Sequence, residues 1–502
     1  MSVAILTSRA QQGTGAPPVT IEVFLSGGLP AFSVVGMPAT AVRESKDRVR
    51  SALLSSGFRF PQEKITVSLG PADMPKTGGR FDLAIALGIL AASGQLPNDK
   101  FAPTEFYGEL ALNGELRRVP GVLPAAIKAQ QAGRSIVVAA ANAAEAALVC
   151  DEVFPAKSLL DVSAHIRGEC RLQRCDASPP ASTRLPTADL ADVRGQPRAR
   201  RALEIAAAGR HNLLFVGPPG TGKSMLAERL PGILPPMSEA EAIETAAVES
   251  VLGQPLDLAR WRSRPFRSPH HTASAAALVG GGPEPSPGEI SRAHNGVLFL
   301  DELPEFNRNV LEVLREPIEA GRIRISRANG HGEFPARFQL VAAMNPCPCG
   351  FLGDRSGECI CSAERVARYR GKISGPLLDR IDLHVEVARP PTDIFHATGS
   401  SEESSDSVRA RVIAAVERQL ARGGLVNARL DGERLRETCA LGPAGRRLLD
   451  AAAEKFALSV RAYQRVLRVA RTIADLGASE RIAATHVAEA LSLRQAESKP
   501  GQ

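Results

Sequence analysis

The chain lacks long apolar stretches. Among its 502 residues there is no run of about 18 consecutive apolar residues, so no membrane-spanning helix is expected. The first residues, MSVAILTSRAQQG, contain no charged leader before an apolar segment and no small-residue cleavage site, so we expect no signal peptide. These absences predict a cytoplasmic protein with no membrane partner.

Aromatic residues and cysteines are scarce as well. Aromatics make up 4% of the chain, and Trp261 is the only tryptophan. Of the eight cysteines, four crowd between Cys347 and Cys361, and this clustering favours a metal site over disulfides in a cytosolic chain. The remaining cysteines show no ligand spacing: Cys150, Cys170, Cys175 and Cys439.

The excess of positive charge is small. The net charge is +7, from 61 basic and 54 acidic residues. This balance is compatible with a nucleic-acid partner, but it is much weaker than the dense basic patch of a dedicated DNA-binding domain. Taken alone, it describes an ordinary solvated surface.

Two polar segments divide the chain into three units. Residues 176–188 are rich in proline and small polar residues and are predicted to form a linker, and residues 397–406 are predicted to form a flexible acidic loop. The predicted units are a mixed α/β domain at 1–175, a nucleotide-binding domain at 189–390 and a helical domain at 405–498.

Hydrophobic periodicity predicts the main elements of these units. In the first unit we expect strands at 19–25 and 65–69, helices at 39–56 and 81–92, and a hairpin in which a strand at 106–112 is followed by Asn113-Gly114. In the second unit, short apolar runs at 213–216, 297–300 and 340–343 are typical of strands buried on both faces of a parallel sheet.

A complete phosphate-loop motif follows the apolar run at 213–216. Its glycines allow backbone N–H groups to surround a polyphosphate, its lysine places a cation on the outer phosphates, and its serine offers a hydroxyl to Mg²⁺ at the start of a helix. The predicted ATP-binding residues are Gly217, Pro218, Pro219, Gly220, Thr221, Gly222, Lys223 and Ser224.

The apolar run at 297–300 ends in two acids. Asp301 is predicted to hold Mg²⁺ together with Ser224, and Glu302 to orient and deprotonate the attacking water. Nucleotide binding without hydrolysis remains the alternative. Asn345, after the run at 340–343, is predicted to hold the water against the terminal phosphate, although an Asn at a strand end is often only a turn former.

Four cysteines form two Cys-x-Cys pairs separated by nine residues. Four thiolates suit tetrahedral Zn²⁺, and such a site is structural because it leaves no position for a water molecule. The predicted ligands are Cys347, Cys349, Cys359 and Cys361, with Gly350, Gly353 and Gly357 permitting the chain to fold back. Reduced, unliganded cysteines in a loop are the alternative.

The segment RIRISR at 322–327 alternates charged and apolar residues. As a strand it places Arg322 and Arg324 on one face, with Asn329-Gly330 as a tight turn and residues 336–340 as the returning strand. The arginines of this segment, including Arg327, suit sequence-independent binding to the phosphate backbone of a nucleic acid. An ordinary exposed hairpin is the alternative. The histidines at 270, 271 and 331 fit either DNA contacts or surface and packing positions.

Several longer segments resemble one family. They are PFRSPHHT at 265–272, PGEISRAH at 287–294, NPCPCG at 345–350, GPLLDRID at 375–382, GLPAFSVVG at 28–36 and LSVRAY at 458–463. Together they resemble the magnesium-chelatase-like AAA+ ATPases of the ComM/YifB type over nearly the whole chain. The resemblance implies a homo-hexameric ring that acts as a DNA helicase on single-stranded or branched DNA and drives branch migration in natural transformation.

The same resemblance implies a fold and further site residues. The fold is a Lon-protease-like (ribosomal S5 domain 2-like) α/β domain, a P-loop AAA+ αβα domain with a helix insert near 243–290, and a helical lid. Arg380 matches an arginine finger that reaches a neighbouring subunit's nucleotide, the alternative being a salt bridge with Asp379 or Asp382. Arg461 matches a second sensor of the phosphates, the alternative being a solvated helical charge.

The resemblance of residues 66–124 to Lon proteases does not extend to the catalytic dyad. The position of the catalytic serine falls at Arg80 and that of the catalytic lysine near Leu123, so no proteolysis is expected. Lys76 is present but has no catalytic serine to activate. A chelatase-type or protein-remodelling ATPase without DNA translocation stays open as the main alternative, together with a scaffold that uses ATP only to assemble.

Overall fold

The computed structural model describes most of the chain. The described residues are 2–37, 39–176, 188–282, 285–327, 330–354, 359–389 and 402–494. The predicted linker at 176–188 lies outside them except for its two end residues. Among the described residues, no helix is long and apolar enough to cross a membrane.

The N-terminal unit is built on a seven-stranded sheet with the strand order β3-β4-β2-β1-β5-β8-β9. The strands of this unit are β1 (Ser2–Arg9), β2 (Pro18–Ser26), β3 (Ala31–Val35), β4 (Lys64–Gly70), β5 (Thr104–Tyr107), β6 (Glu109–Leu110), β7 (Leu116–Arg117), β8 (Ser135–Ala139) and β9 (Val153–Ala156). Strands β1, β2 and β4 pair antiparallel, whereas β1, β5, β8 and β9 pair parallel.

Five helices cover this sheet. They are α1 (Thr40–Ser55), α2 (Asp82–Ala92), α3 (Val122–Gln131), α4 (Ala143–Ala146) and α5 (Leu159–Arg167). Every residue of α2 is buried, as its nearly uninterrupted apolar sequence predicts. Gly88 lets this helix approach β1 and β2 closely, because a Cβ there would lie 2.5 Å from Cγ2 of Val23.

The middle unit contains a five-stranded parallel sheet with the strand order β11-β14-β17-β10-β18. Its strands and the short strands near it are β10 (Leu213–Val216), β11 (Phe266–Arg267), β12 (Gly280–Gly281), β13 (Ser286–Pro287), β14 (Val297–Leu300), β15 (Arg322–Arg327), β16 (Gly330–Pro335), β17 (Gln339–Met344) and β18 (Leu383–Glu386). Because the strands are parallel, the segments that follow β10, β14 and β17 meet at one edge of the sheet.

Helices flank both faces of this sheet. Those of the middle unit are α6 (Pro197–Gly209), α7 (Lys223–Ile233), α8 (Glu239–Val251), α9 (Ala275–Val279), α10 (Glu289–Arg292), α11 (Arg308–Glu312), α12 (Arg315–Ala320), α13 (Ala363–Arg370) and α14 (Gly375–Leu378). The segment near 243–290, predicted to be a helix insert, contains α9 and most of α8, which begins earlier, at Glu239, with a capping box formed by Ser238 and Glu241.

The last unit is helical, as predicted. It contains α15 (Ser405–Gly423), α16 (Gly432–Thr438), α17 (Pro443–Lys455), α18 (Val460–Leu476) and α19 (Ala484–Ser492). Buried residues of α15 and α18 share one apolar core with Leu213, Phe215 and Val341 of the sheet. The opposite sheet face, with Leu214 and Leu300, packs against the insert.

The N-terminal unit is attached to the insert of the middle unit. Leu123 at the start of α3 packs in one apolar cluster with Ala242 and Ala246 of α8 and with Trp261. The N–H of Gly121 donates to the carbonyl of Ser250 at 2.8 Å, which extends this contact to the end of α8.

Three predicted elements require correction. The hairpin strand expected at 106–112 is divided into β5 and β6 at Gly108, whose N–H donates to the carbonyl of Arg80. The partner of β15 is not 336–340 but β16, because pairing of Arg327 with Gly330 leaves only two residues for the turn. Ser405 and Asp406, expected in a loop, begin α15; residues 397–401 lie outside the described residues.

Candidate functional site

The phosphate loop connects β10 to α7. Gly220 and Gly222 have φ angles of 75° and 87°, a region that glycine adopts without steric cost. Gly217 cannot carry a side chain, because a Cβ there would lie 2.2 Å from the carbonyl oxygen of Val387. The loop therefore has the conformation and the helix N-terminus that a polyphosphate requires.

The Lys223 side chain is folded back into this loop. Its Nζ donates to the carbonyls of Gly217 and Pro218 at 2.8 Å and to Oδ1 of Asn345 at 3.1 Å. Burial lowers the pKa of Lys223, and the negative charges of Asp301 and Glu302 oppose that shift. The ammonium thus lies inside the phosphate loop, beside the side chain of Asn345.

Ser224 and Asp301 form a pair of hard oxygen donors. The Ser224 hydroxyl donates to Oδ2 of Asp301 at 2.5 Å. The two residues come from separate segments, since Ser224 lies on α7 and Asp301 follows β14. Mg²⁺ binds oxygen ligands and retains several waters or phosphate oxygens, so one hydroxyl and one carboxylate suit it. These residues fit the predicted magnesium site.

Asn345 and Glu302 occupy the ends of neighbouring strands. Asn345 follows β17 and accepts from Lys223, so it faces the phosphate loop as predicted. Glu302 has a left-handed backbone conformation with φ of 52°, which is uncommon for a residue other than glycine. Its Oε2 lies 3.2 Å from Nδ1 of His271, a contact that the sequence patterns did not predict.

The four clustered cysteines lie next to the nucleotide site. Their sulfurs all lie within 4.8 Å of one another, and Cys347 and Cys359 are 3.8 Å apart. Tetrahedral zinc with Zn–S bonds of about 2.3 Å requires sulfur separations of about 3.8 Å, so the donor set fits a structural zinc ion. Gly350 and Gly353 have positive φ angles, as the expected fold-back requires, while Gly357 lies outside the described residues.

The cysteine loop touches the phosphate loop directly. Gly350 lies so close to Pro219 that a Cβ on Gly350 would be 2.7 Å from the proline Cδ. Cys347 is fully buried and is separated from Asn345 by a single proline. The cysteine loop therefore packs against the phosphate loop, and it begins two residues after Asn345.

Three family models match the chain along its length. The model described as "Subunit ChlI of Mg-chelatase" matches residues 21–142, and the model described as "Magnesium chelatase, subunit ChlI" matches residues 189–394. The model "Magnesium chelatase, subunit ChlI C-terminal" matches residues 402–494. The three matches correspond to the N-terminal unit, the nucleotide-binding unit and the C-terminal helices.

Curated relatives match almost the full length. The chain is 52% identical to YifB of Salmonella typhimurium, over 98% of this chain and 97% of that protein. It is 51% identical to the competence protein ComM of Haemophilus influenzae, over 98% of each chain. The chain belongs to the ComM/YifB family of magnesium-chelatase-like proteins. A magnesium-chelatase 67 kDa subunit of Heliobacterium mobile is 25% identical over 44% of this chain and 37% of that subunit.

Membership of the ComM/YifB family agrees with the architecture. The mixed α/β units, the parallel sheet with its phosphate loop and the C-terminal helices are consistent with an AAA+ fold of the magnesium-chelatase type. The family and the loop together indicate an ATPase that uses ATP and Mg²⁺. The roles of individual residues are taken up below as proposals.

Arg380 of this ComM/YifB-family chain lies far from its own phosphate loop. It precedes β18, and its carbonyl accepts from Asn212, the residue before β10, whereas the phosphate loop follows the other end of β10. A four-residue strand is about 13 Å long. The expected alternative partners are wrong: the Arg380 guanidinium, largely buried, pairs with Glu319 at 2.7 Å and not with Asp379 or Asp382.

Arg461 lies at the same edge of the sheet as Arg380. Its guanidinium is 59% exposed and lies 3.7 Å from the carboxylate of Glu319. Asp382, which follows Arg380, is fully engaged by Arg465 and by the N–H of Asn212. Neither predicted arginine thus faces the nucleotide loop of its own chain.

The hairpin β15–β16 presents its arginines to solvent. Ile323 and Ile325 are buried, whereas the Arg322 and Arg324 side chains are 52% and 62% exposed, as the alternating pattern predicts. Glu333 on β16 pairs with both arginines, at 3.4 Å and 2.8 Å. The side chain of Arg327 lies outside the described residues.

The N-terminal unit contacts this hairpin. The N–H of Thr14 donates to the carbonyl of Glu333 at 3.4 Å, and residues from both sides line an open groove of about 900 Å³. Gly13 has a φ of 59° and a Cβ there would lie 2.3 Å from the same carbonyl oxygen, so only glycine permits this approach.

The positions of the Lon-type dyad carry structural contacts. The buried Arg80 guanidinium donates to the carbonyls of Pro120 and Gly121, and burial lowers its pKa to about 10. Leu123 packs against α8, and Lys76 is buried with its ammonium directed at the carbonyl of Pro71. In this ComM/YifB-family chain Leu123 forms part of the contact with α8, and Arg80 holds the segment at Pro120 and Gly121 that reaches Ser250.

Two site residues had no clear signal in the sequence. His271 belongs to a motif that carried the family resemblance, but its contact with Glu302 depends on how β11 and β14 lie side by side. Glu319 is one acid among many on a helix surface, and nothing local indicates that it pairs with Arg380 and Arg461.

Proposed function

We propose that the chain assembles into a ring, a homo-hexamer, that hydrolyses ATP to move single-stranded or branched DNA as a helicase or branch-migration factor. The observation that carries the proposal is the hairpin: its arginine face is exposed while its isoleucine face packs in the same core as the sheet that bears the nucleotide site. The resemblance to the competence protein ComM supports a setting in natural transformation or homologous recombination.

The hydrolytic step is assigned to residues around the phosphate loop. Glu302 accepts a proton from the water that attacks the terminal phosphorus, and the bond from that phosphorus to the ADP oxygen breaks. Lys223 and Asn345, 3.1 Å apart, hold the terminal phosphate and the water. Ser224 and Asp301 would hold Mg²⁺, and the ion would supply positive charge beside the phosphate oxygens.

The positions of the two arginines support a ring. Arg380 and Arg461 lie at the sheet edge opposite the loop of their own chain, where they are available to a nucleotide bound by a neighbouring subunit. Arg461 also lines a groove of about 430 Å³ together with Arg337, Arg429, Arg465 and Arg468. Such a concentration of guanidinium groups suits phosphate oxygens.

Phosphate binding by the hairpin requires no sequence reading. Within the described part of the chain, Arg322 and Arg324 form ion pairs with Glu333 at an exposed position, and exposed ion pairs contribute about 0–1 kcal/mol. A polyanion competes readily for such arginines because counterion release favours its binding. The hairpin is therefore suited to DNA of any sequence.

A chelatase-type ATPase is the second candidate. The family models carry the names of magnesium-chelatase subunits, and the H. mobile subunit matches part of the chain. In that case the hairpin and the arginine-rich edge would serve contacts with partner proteins. Turnover that responds to a protein client and not to DNA would favour this candidate.

The deciding experiment measures ATP hydrolysis by the purified chain with no DNA, with single-stranded DNA and with a four-way junction. Glu302→Gln is the matched control, because it keeps the side-chain volume and removes the proton acceptor. Stimulation by DNA that is lost in Glu302→Gln, followed by strand displacement, supports the motor. Turnover that is indifferent to every DNA tested would refute DNA as the track.

A further inference from the structure

The connection between β1 and β2 of the N-terminal unit is a tight turn. The N–H of Gln12 donates to the carbonyl of Gly15 at 3.1 Å, and the N–H of Gly15 donates back to the carbonyl of Gln12 at 2.9 Å. These two bonds close a turn whose central residues are Gly13 and Thr14. Gly13 has a φ of 59°, and glycine at the first central position is typical of such turns. The turn therefore has a fixed backbone.

This turn is held between the arginine hairpin and α8. On one side, the N–H of Thr14 donates to the carbonyl of Glu333 on β16 at 3.4 Å, and Gly13 packs against the same carbonyl so closely that a Cβ would not fit. On the other side, Nε2 of Gln11 donates to the carbonyl of Val251, the last residue of α8, at 3.4 Å. The side chains of the turn are thus fixed in place beside the hairpin.

The open groove of about 900 Å³ between the turn and the hairpin has an excess of positive charge. Arg322 and Arg324 line it from β15, and Arg337 lines it from the segment that follows β16. Among the described residues that line this groove, Glu333 contributes the one carboxylate. Three guanidinium groups against one carboxylate favour an anionic occupant.

The N-terminal unit contributes hydrogen-bonding side chains to the same groove. Gln12 and Thr14 both line it, and Gln12 is exposed. Amide and hydroxyl groups of this kind bind phosphate and sugar oxygens of nucleic acids. We propose that the turn at 11–15 is a second wall of the DNA site, where Gln12 and Thr14 contact the backbone of the strand that the hairpin binds. This inference rests on the proposed function and gives the N-terminal unit a direct contact with DNA.

The groove is suited to the backbone of a single strand and not to its bases. The described residues that line it include no Phe, Tyr or Trp, the side chains on which unpaired bases usually stack. Guanidinium, amide and hydroxyl groups are the donors that hold phosphates and sugars without reading sequence. We therefore expect an abasic strand to bind as tightly as oligothymidylate of the same length.

The test compares the same charge change at two glutamines of the N-terminal unit. The affinity of the full chain for fluorescent oligothymidylate is measured at several salt concentrations for Gln12→Lys and Gln12→Glu. Gln62→Lys and Gln62→Glu are the matched controls, because Gln62 is also exposed. Gln62 lies near Lys64, which pairs with Ser26 at the end of β2 away from the turn. The two pairs of variants therefore differ in place and not in net charge.

We expect Gln12→Lys to add one phosphate contact. On single strands each contact steepens the slope of log affinity against log salt by about 0.7, which is about fivefold in affinity over a tenfold change in salt. Gln12→Glu should weaken binding, because its carboxylate repels the phosphates. Thr14→Lys, on the same wall, should behave as Gln12→Lys, and both Gln62 variants should bind as the wild-type chain does.

The outcomes separate this proposal from the motor itself. Equal salt slopes in Gln12→Lys, Thr14→Lys and Gln62→Lys would overturn the second wall, and the motor would stand if Arg322→Ala/Arg324→Ala still lost DNA. Much weaker binding of the abasic strand would overturn the backbone contact. Tighter binding of polyglutamate than of oligothymidylate at equal charge would identify an acidic protein as the occupant. A wild-type chain that binds no DNA at low salt would refute both proposals.

Discussion

The Arg380 guanidinium pairs with Glu319 at 2.7 Å, on the edge of the parallel sheet opposite Lys223. The partner lies on α12, a helix that leads directly into the hairpin strand β15. Arg380, which is expected to complete a nucleotide site, therefore lies at the opposite edge of the sheet from the site of its own chain. Its partner Glu319 also lies 3.7 Å from Arg461.

The first prediction concerns shared active sites. Arg380→Ala should bind ATP normally yet lose turnover by about 10³-fold or more, the usual effect of removing an arginine finger. Lys223→Ala should lose ATP binding. Mixed together, the two inactive variants should recover part of the activity, because a Lys223 loop of one subunit then meets an intact Arg380 of the other. No recovery on mixing, with rings shown by sedimentation, would contradict the shared site.

The second prediction concerns the cysteine cluster. Purified protein should contain about one zinc ion per chain by elemental analysis, held by four thiolates. Cys359→Ser should lose the metal, and it should lower ATP turnover because the cysteine loop packs against the phosphate loop. The matched control is Cys170→Ser, an exposed cysteine outside the cluster. A full complement of zinc in Cys359→Ser would argue against this ligand set.

The third prediction concerns the hairpin. In the double variant Arg322→Ala/Arg324→Ala, DNA binding should weaken, and the slope of log affinity against log salt should become shallower by about 1.4–1.8, since each phosphate contact contributes about 0.7–0.9. Glu333→Gln should bind DNA more tightly because it no longer competes for both arginines. Arg368→Ala, an exposed arginine on α13, is the control and should change neither quantity.

The fourth prediction concerns stability and pH. Burial, aided by Arg494, lowers the pKa of His384 to about 3, whereas an unfolded histidine titrates near about 6.5. Between these values the unfolded chain binds a proton that the folded chain does not, so the free energy of unfolding falls as the pH decreases below about 6.5. From pH 7.5 to 5.5 this residue alone should cost about 1.4 kcal/mol.

The measurement for His384 is chemical denaturation at both pH values. His384→Leu should show a smaller loss between them, by about 1.4 kcal/mol, whatever its stability at neutral pH. Comparing the change with pH rather than the absolute value removes the effect of altered packing. An identical loss in both proteins would show that His384 titrates in the folded chain as it does in the unfolded one.

Much of the fold could be predicted from local patterns. The strands at 213–216 and 297–300 have the predicted bounds, and the last unit is helical as expected, although its first helix begins at Ser405, inside the predicted loop. The two strands are buried on both faces and the helices are strongly periodic, so the local pattern of apolar residues identifies them. The return strand of the hairpin was misplaced because 336–340 alternates apolar and polar residues as a strand does. The length of the turn, not this alternation, selected β16.

The candidate site was predictable to a different extent for each residue. The residues around the phosphate loop meet because each of them follows a strand of one parallel sheet, an arrangement that the motif spacing implies. They are Lys223, Ser224, Asp301 and Asn345. The partners of Arg380 and Glu302 were not predictable, since both partners lie on other segments and are ordinary residue types there. Residues 390–401 and the side chain of Arg327 lie outside what the structure describes.

By itself, the sequence determined the chemistry that depends on neighbouring residues. GPPGTGKS specifies a loop that exposes N–H groups before a helix, and two Cys-x-Cys pairs specify four sulfurs within reach of one ion, because short segments have few conformations. Only the tertiary structure decided that Glu319 pairs with Arg380, that His271 lies beside Glu302 and that the N-terminal unit packs against α8. Long side chains reach many partners, and the path of the whole chain selects among them.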